Sequence, residues 1–572
     1  MTGLESRVPA DFAEATWDDI APLYEELAAW PLHRDNVEEW LRAWSRLEEL
    51  LSEAASLAMI AYTGDTADPA KETAHLRFSG SIVPRMEEQG VALANRLLAL
   101  GYVPPGLETT VTRFRTQSEI FRDANVPLFA AIEEHCAHYQ KVTGAITVSW
   151  DGAEKTLPQL LPLLKSPDRE TRERAFRLAS GAYVVRRDEL AHLFDRLFEL
   201  RTMVAANAGF GNFEDYVFRA KFRLDYAPAD CARFHAAVEH VVAPAVERLF
   251  ERRRRRLGLS VLRPWDLGVD PDRRPPVVPF QRVEELIAGG ERVFTQVSPI
   301  FSAEFRTMHQ EQLLDLGTRK GKAPGGYCET LSYRGRPFIF MNAVGIADDV
   351  ATLLHEAGHA FHAFAARPQP LIWQRHPGLE MCELASMSME LLAAPHLGRE
   401  VGGFFSPTDL ARARVEHLED VLLSLCHISA VDAFQSWLYT SPEGGDPAAR
   451  DRAWLAIRAR FERGVDWTGL ERERVARWYR QLHIFLYPFY YIEYGLAQLG
   501  ALQVWRNSLR HPGDAVRAYR AALAFGATRP LPELYAAAGA ELIFDPEPMR
   551  ELVELVEEHI EMWRARAVAP AG

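Results

Sequence analysis

Two histidines four residues apart, with a glutamate directly after the first, stand in the segment "LLHEAGHAFHAF" at residues 353–364. If this segment is helical, His355 and His359 lie on one face, where both imidazoles can bind a single metal ion. Glu356 lies about 100° further around the helix and can reach a water molecule beside that ion. These residue types at this spacing indicate metal-assisted hydrolysis with Glu356 as the general base.

A hydrolytic zinc site usually has three protein ligands and one open position, so a third ligand is required. His362 lies seven residues after His355 and returns to the same helix face. It would, however, lie about 10.5 Å from His355 along the axis, too far for both rings and His359 to share one ion. We therefore interpret His362 as a core residue or as a partner of a ligand.

A second helical segment, "LEMCELASMSMELLAAPHL", follows the turn-rich passage "RPQPLIWQRHPG". Glu380, Glu383 and Glu390 recur in it among methionine, alanine and serine residues. Burying carboxylates in such surroundings is costly unless a positive group lies opposite them. A metal ion held by the two histidines would be that group, so the third ligand is expected among these glutamates.

Most of the chain has a helical period. The chain has 572 residues, more than one hydrophobic core usually contains. Residues 36–62 place Trp40, Trp44, Leu47, Leu51 and Ala55 three or four apart, as one face of a long helix does. The same pattern predicts helices in 71–100, 187–206, 229–250, 409–437, 449–463, 472–506, 513–525 and 547–565.

One stretch differs from this helical pattern. "GGYCETLSYRGRPFIFMN", starting at Gly325, has β-forming residues on both sides of "YRGRP" and predicts a short hairpin. The histidine segment follows it directly. Asp348 or Asp349 is expected to cap the histidine helix, which must end before the prolines of "RPQP".

Charge and composition narrow the classes of partner. A net charge of −14 argues against nucleic acid, which needs a basic face. The basic run Arg252–Arg256 ends an amphipathic pattern and is interpreted as a solvated helix end. Five scattered cysteines fit neither a disulfide framework nor a thiolate zinc site. We found neither a signal peptide nor an apolar run long enough to cross a membrane, so a cytoplasmic location without a membrane partner is expected.

Several segments together resemble the thimet oligopeptidase and oligoendopeptidase F family of zinc metallopeptidases. "HEAGH" at 355–359 and "ELAS" at 383–386 match that family's two metal-binding helices. The segments 199–226, 322–342 and 482–505 are similar to the segment that leads into its catalytic domain, its active-site strands and its histidine and tyrosine cluster. The resemblance covers roughly residues 190–530, while the first 180 or so match only in being helical.

The resemblance implies a ligand set of His355, His359 and Glu383 for one zinc ion per chain, with Glu356 as catalytic base. It implies that Glu380 and Glu390 hold the second nitrogens of the histidine rings.

The resemblance also implies a mainly α fold: a large two-lobed helical body with a deep central channel and a small β-sheet near the zinc site. We divide the chain into an N-terminal helical region, 1–190, and a catalytic region, 191–572. The implied activity is hydrolysis of internal bonds in short unstructured peptides, since a channel excludes folded proteins.

The aromatic segment "HIFLYPFYYIEY" begins at His483. By resemblance His483, Tyr491 and Tyr494 hydrogen-bond the substrate or the oxyanion. Phe485, Phe489 and Tyr490 are interpreted as aromatic core. The division of roles among His483, Tyr487, Tyr490, Tyr491 and Tyr494 stays open.

Two other functions remain as alternatives: a metallocarboxypeptidase of similar helical build, and a helical scaffold with a non-catalytic metal. The scaffold is disfavoured because structural zinc sites normally have four protein ligands. Zinc proteases with a third histidine ten residues after the first are excluded, because that position is Ala365. Cobalt or manganese can occupy similar ligands, and the oligomeric state, monomer or homodimer, stays open.

Overall fold

A computed structural model describes residues 4, 6–319, 321–323 and 325–568. The prediction of a mainly α protein is confirmed. The first half contains α1 (Trp17–Ala29), α2 (Val37–Gly64), α3 (Pro69–Arg77), α4 (Val83–Ala99), α5 (Glu108–Ile120), α6 (Val126–Gly144), α7 (Leu161–Leu164), α8 (Arg169–Asn207), α9 (Phe213–Ala220), α10 (Pro228–Ala237), α11 (Ala243–Arg256), α12 (Val283–Val297) and α13 (Pro299–Gln310).

The second half contains α14 (Ala347–Ala366), α15 (Leu379–Ala393), α16 (Pro407–Thr440), α17 (Pro447–Phe461), α18 (Glu471–Tyr479), α19 (Leu482–Leu486), α20 (Tyr491–Arg510), α21 (Pro512–Ala524), α22 (Leu531–Ala537) and α23 (Pro546–Val568). The hydrophobic core around α14, α15 and α20 is the largest in the described chain. The two candidate metal-binding helices therefore lie in the largest hydrophobic core of the described chain.

The predicted hairpin is confirmed and belongs to a three-stranded sheet. Strand β4 (Tyr327–Leu331) pairs antiparallel with β5 (Arg336–Ala343), and β3 (Leu314–Gly317) pairs parallel with the other edge of β5. The order β3-β5-β4 leaves β4 at one edge of the sheet. A separate hairpin, β1 (Thr147–Trp150) and β2 (Ala153–Thr156), was not predicted.

The N-terminal helix α2 packs on the edge strand β4. Its predicted face is confirmed, since Trp40, Trp44, Leu47 and Leu51 are buried and Ala55 is half-buried. The Ser56 hydroxyl donates to Glu329 at 2.6 Å, and the hydroxyls of Thr63 and Tyr327 lie 2.7 Å apart. The first region thus supports the strand next to the candidate site.

The predicted boundary at residue 190 falls inside α8, which runs from Arg169 to Asn207. No linker separates the two regions at that position.

The helix predicted over 472–506 is broken in the structure. Helix α18 ends at Tyr479, the short α19 follows, and α20 begins only at Tyr491. Pro488 explains the break between α19 and α20, because proline has no amide hydrogen and disfavours helical geometry in the residue before it. The next residue, Phe489, has a left-handed backbone with φ of 60°.

The basic run at the end of α11 pairs with carboxylates. The pairs are Arg252 with Glu561, Arg253 with Glu419, Arg254 and Arg255 with Glu251, and Arg256 with Asp272. The predicted helix end is confirmed, and these carboxylates neutralise most of its positive charge.

Helix α16 contains an 18-residue window apolar enough to cross a membrane, contrary to the sequence-based expectation that no segment would pass that test. Inside the protein, 67% of this window is buried. The helix packs against α23, α17 and α20, as a core helix does.

Candidate active site

Helix α14 places the two histidines side by side. Its start is fixed by Asp349, whose Oδ2 accepts hydrogen bonds from the backbone amides of Val344, Gly345 and Ile346 at 2.8, 2.7 and 3.0 Å. Asp349, in the first turn, therefore caps the helix. It is one of the two residues predicted to do so. The ring centroids of His355 and His359 lie 5.0 Å apart.

Helix α15 crosses α14 in backbone contact and brings in the third donor. Glu383 Oε2 lies 3.3 Å from His355 Nε2 and 3.6 Å from His359 Nε2. Ligand atoms of these three residues all lie within 4.8 Å of one another. Two imidazole nitrogens and one carboxylate oxygen form a donor set that catalytic zinc ions use, so the residues present fit the expected metal.

The second nitrogen of the His355 imidazole also has a partner. His355 Nδ1 lies 2.7 Å from Glu390 Oε1, and Glu390 Oε2 lies 2.9 Å from His417 Nε2. Such partners fix the orientation of a metal-binding ring, and the expectation for Glu390 is confirmed.

The expectation that Glu380 holds a histidine ring is wrong. Glu380 accepts a hydrogen bond from the Tyr226 hydroxyl at 2.6 Å and lies 3.9 Å from Arg223 Nε. Helical spacing explains the difference. Glu390 comes seven residues after Glu383 and shares its face, whereas Glu380 comes three before and points about 60° away.

Burial and mutual attraction set the charges of the cluster. Burial opposes ionisation of Glu383, but the nearby His359 and His355 bring its pKa down to about 2. Burial lowers the pKa of His359 to about 4. Around neutral pH Glu383 is therefore ionised and His359 neutral, the forms in which both side chains bind metal.

Glu356 lies in a narrow space between α14 and the start of β4. Its side chain is buried, and burial raises its pKa to about 7. A Cβ atom added at Gly326 would lie 3.5 Å from Glu356 Oε1 and 3.3 Å from the Phe340 carbonyl oxygen. The start of β4 therefore lies next to the Glu356 carboxylate, and a side chain at 326 would crowd the Phe340 carbonyl oxygen.

The aromatic segment folds over the same cluster. The ring centroid of His483 lies 4.9 Å from that of Tyr491 and 6.0 Å from that of Tyr494. Burial lowers the pKa of His483 to about 4, so its ring is neutral around pH 7. The Tyr491 hydroxyl is turned toward Gln481, from which it accepts a hydrogen bond.

Tyr490 was interpreted as aromatic core, and that interpretation is wrong. Its hydroxyl donates to Glu383 Oε1 at 2.8 Å, and its ring centroid lies 4.9 Å from that of Tyr494. A buried hydroxyl needs a hydrogen-bond partner. That requirement was the only feature of the sequence that could have indicated a polar contact for Tyr490. His417 was also missed, because nothing near it in the sequence indicates that it contacts Glu390. His362 is buried and lies outside the three-residue group.

The chain is similar to known peptidases in sequence and in fold. The profile of peptidase family M3 matches residues 162–553. The chain is 23% identical over 251 residues to the group B oligopeptidase PepB of Streptococcus agalactiae serotype III (strain NEM316), which is 43% of this chain and 40% of that protein. It is 22% identical over 245 residues to the chromosomal oligoendopeptidase F of Lactococcus lactis subsp. cremoris, 42% of this chain and 38% of that protein. The aligned stretch thus spans less than half the length of these relatives.

Solved structures match over nearly the whole chain. A structure of PZ peptidase A with an inhibitor superposes with a TM-score of 0.89 at 28% identity, covering 97% of each chain. A putative oligoendopeptidase F superposes with a TM-score of 0.88 at 29% identity, covering 96% of each chain. These superpositions confirm the predicted fold class. Since the family profile matches most of the sequence, the chain belongs to peptidase family M3.

Proposed function

We propose that this protein is a zinc-dependent oligoendopeptidase that hydrolyses internal bonds of short, unstructured peptides. The observation that carries the proposal is the convergence of His355, His359 and Glu383 beside Glu356. The oligopeptidase names of its relatives support the same substrate class. The geometry favours catalysis over a purely structural metal, because the group identified in the described chain has three protein ligands rather than four.

His355, His359 and Glu383 would hold one zinc ion per chain. When bound, such an ion supplies Lewis-acid chemistry, which lowers the pKa of water and polarises a carbonyl group. Glu390 keeps the His355 imidazole ring turned toward the shared centre.

Glu356 moves the proton in the proposed reaction. Its carboxylate accepts a proton from the attacking water and returns it to the leaving amine. His483 and Tyr494 are proposed to donate hydrogen bonds to the oxyanion that forms on the scissile carbonyl. Tyr491, whose ring packs against that of His483, is proposed to donate a hydrogen bond to the substrate as well.

Strand β4 is proposed to bind the peptide backbone. Because β4 is an edge strand, an extended peptide can pair with its outer backbone groups whatever the peptide's sequence. Gly325, with φ of 100°, and Gly326 bring this edge close to Glu356. Backbone pairing accounts for cleavage of many short peptides with little sequence preference.

The proposed location is the cytoplasm, without nucleic-acid or membrane partners. Five free cysteines suit a reducing compartment. The net charge of −14 is unfavourable for binding phosphates.

An internally quenched peptide blocked at both ends tests the proposal. The purified protein should cleave it internally, and chelation should abolish cleavage until zinc is added back; cobalt and manganese serve as parallel additions. Glu356→Gln should bind zinc normally but lose cleavage by a factor of about 10² to 10⁴, since it lacks the base. Glu419→Gln is the matched control, because Glu419 is also buried but pairs with Arg253 and Arg564 and contacts neither metal-binding histidine.

The alternatives give different results. Survival of the blocked peptide together with trimming of a free C-terminus would identify a carboxypeptidase. Zinc binding without cleavage of either peptide would identify a non-catalytic metal protein.

A further inference from the structure

Phe489 has a backbone conformation that side-chain-bearing residues seldom adopt. Its φ is 60°, and its side chain is 1% exposed. Such a conformation persists only where the surroundings fix it. Two residues do so here: the Phe489 amide donates to Gln435 Oε1 at 2.8 Å, and its carbonyl oxygen accepts from Arg223 Nη2. Both polar groups of this residue are therefore held by other parts of the chain.

A buried charge network fixes Arg223 in turn. Arg223 Nη2 lies 2.6 Å from Glu493 Oε1, and Arg223 Nε lies 3.9 Å from Glu380 Oε1. Lys221 Nζ lies 3.2 Å from the same oxygen of Glu493. Two cations thus face two carboxylates, and the side chains of Arg223 and Glu493 are only 1% and 2% exposed. Losing one member would leave a buried charge unpaired, so the network resists rearrangement.

The contacts that fix the Phe489 backbone also orient the next residue, Tyr490. Its hydroxyl donates to Glu383 Oε1, whereas Glu383 Oε2 faces the two histidines. Tyr490 therefore occupies one oxygen of the carboxylate and leaves the other for the metal. The Lys221 ammonium lies 5.1 Å from the centroid of the Tyr490 ring and restricts it from the side.

We propose that Arg223 is a positioning residue for the metal site. It acts through the Phe489 backbone and the Tyr490 hydroxyl to hold Glu383 in the orientation that binds the ion. The inference deepens the proposed function and depends on the ligand role of Glu383. It explains why a left-handed phenylalanine, a buried arginine and a tyrosine hydroxyl occur in one connected chain of contacts.

Zinc affinity tests this inference without any peptide. The chelator-stripped full-length protein is titrated against a competing zinc chelator, for wild type, Arg223→Lys, Tyr490→Phe and the double variant. Lysine keeps the charge but lacks Nη2, the guanidinium nitrogen that donates to both the Phe489 carbonyl and Glu493. Each single variant should bind zinc about tenfold more weakly, as loss of a ligand's partner typically does. The double variant should bind no more weakly than Tyr490→Phe, because Arg223 acts through Tyr490.

Arg172→Lys is the matched control. Arg172 is equally buried, pairs with Asp266 at 2.9 Å and also donates to the Trp265 carbonyl. Its replacement should leave zinc affinity unchanged. If Arg223→Lys does not fold, Gln435→Met replaces it, because that change removes the acceptor of the Phe489 amide and should also weaken zinc binding.

Several outcomes would overturn the inference. The first is a zinc affinity equal to that of wild type in both Arg223→Lys and Gln435→Met. The second is a double variant in which the two losses of zinc affinity multiply. The third is a wild-type protein that binds no zinc. In the peptidase assay the variants should lower kcat with KM unchanged. If the zinc results hold while the wild type cleaves no blocked peptide, the proposed function is wrong and the positioning role stands.

Discussion

Gly358 and Ser386 meet where α14 and α15, the helices that carry the proposed metal ligands, cross. A Cβ atom added at Gly358 would lie 2.5 Å from Ser386 Cα and 2.6 Å from the Ala385 carbonyl oxygen. Real Cβ atoms do not approach backbone so closely, so α14 and α15 can cross at this distance only with glycine at 358. Ser386 lies three residues after Glu383, and its hydroxyl donates to Glu383 Oε2 at 3.0 Å. This close crossing therefore brings the carboxylate to the histidines.

Gly358→Ala should destabilise the protein and weaken zinc binding together. Inserting a methyl group into a packed crossing costs about 1–3 kcal/mol, which exceeds the gain in helix propensity. Moving the helices apart also takes Glu383 away from His355. Thermal unfolding and zinc titration measure the two effects. Gly181→Ala is the control, because Gly181 lies inside α8 with open space around it, and it should stabilise by up to about 1 kcal/mol. Unchanged zinc affinity in Gly358→Ala would contradict the proposed role of the crossing.

Glu390→Ala should weaken zinc binding by about 10- to 100-fold, because His355 then loses the partner of its Nδ1 atom. Glu390→Gln keeps an acceptor without the charge and should fall between wild type and alanine. Competition with a zinc chelator measures this order. The surface variant Glu400→Ala should match wild type. Equal affinities for Glu390→Ala and wild type would show that Glu390 does not orient the ring.

Thr63→Val should raise KM several-fold for the blocked peptide and leave kcat nearly unchanged. The Thr63 hydroxyl contacts that of Tyr327 across the interface between α2 and β4, and β4 is the proposed peptide-binding strand. A lost hydrogen bond of about 1 kcal/mol corresponds to that change in KM. Thr73→Val removes an exposed hydroxyl that bonds only within α3 and should have no effect. A fall in kcat with constant KM would contradict this prediction.

Glu462 should stabilise the protein in a pH-dependent manner. Burial disfavours its charge, but Arg458, Arg477 and Arg474 lower the pKa of Glu462 to about 2, from an ordinary 4.5. A lowered folded-state pKa adds stability that is present above about pH 4.5 and is lost as the pH falls toward 2. Breaking a buried ion pair costs about 3–5 kcal/mol, so Glu462→Gln should lower the melting temperature clearly at pH 7.

The difference in melting temperature between wild type and Glu462→Gln should shrink as the pH falls from 5 to 3. Glu251→Gln is the control for this measurement. Hydrogen bonds from Arg254 and Arg255 also lower the pKa of Glu251 to about 2, but at the protein surface. Water and salt screen such a pair, so its melting temperature should stay close to that of wild type. A difference for Glu462→Gln that is constant with pH would contradict the assigned pKa.

Local spacing made part of the site predictable. His355, Glu356 and His359 lie on one helix, so the helical period alone places them together. The hairpin of β4 and β5 was equally readable, because β-forming residues flank a tight turn. The proposed third ligand required more than spacing. Three glutamates were candidates on α15, and resemblance to known peptidases favoured Glu383, which in the structure lies beside both histidines.

The sequence by itself determined the helical character, the two helices that carry the proposed ligands and the place of Glu356 beside the histidines, since these depend on interactions within a few residues. Only the tertiary structure decided that Tyr490 contacts Glu383, that His417 supports Glu390 and that Glu380 faces away. These contacts join residues far apart in the chain, Tyr490 and Glu383 being 107 positions apart. They depend on how helices cross and on a left-handed Phe489, and neither leaves a periodic pattern in the sequence.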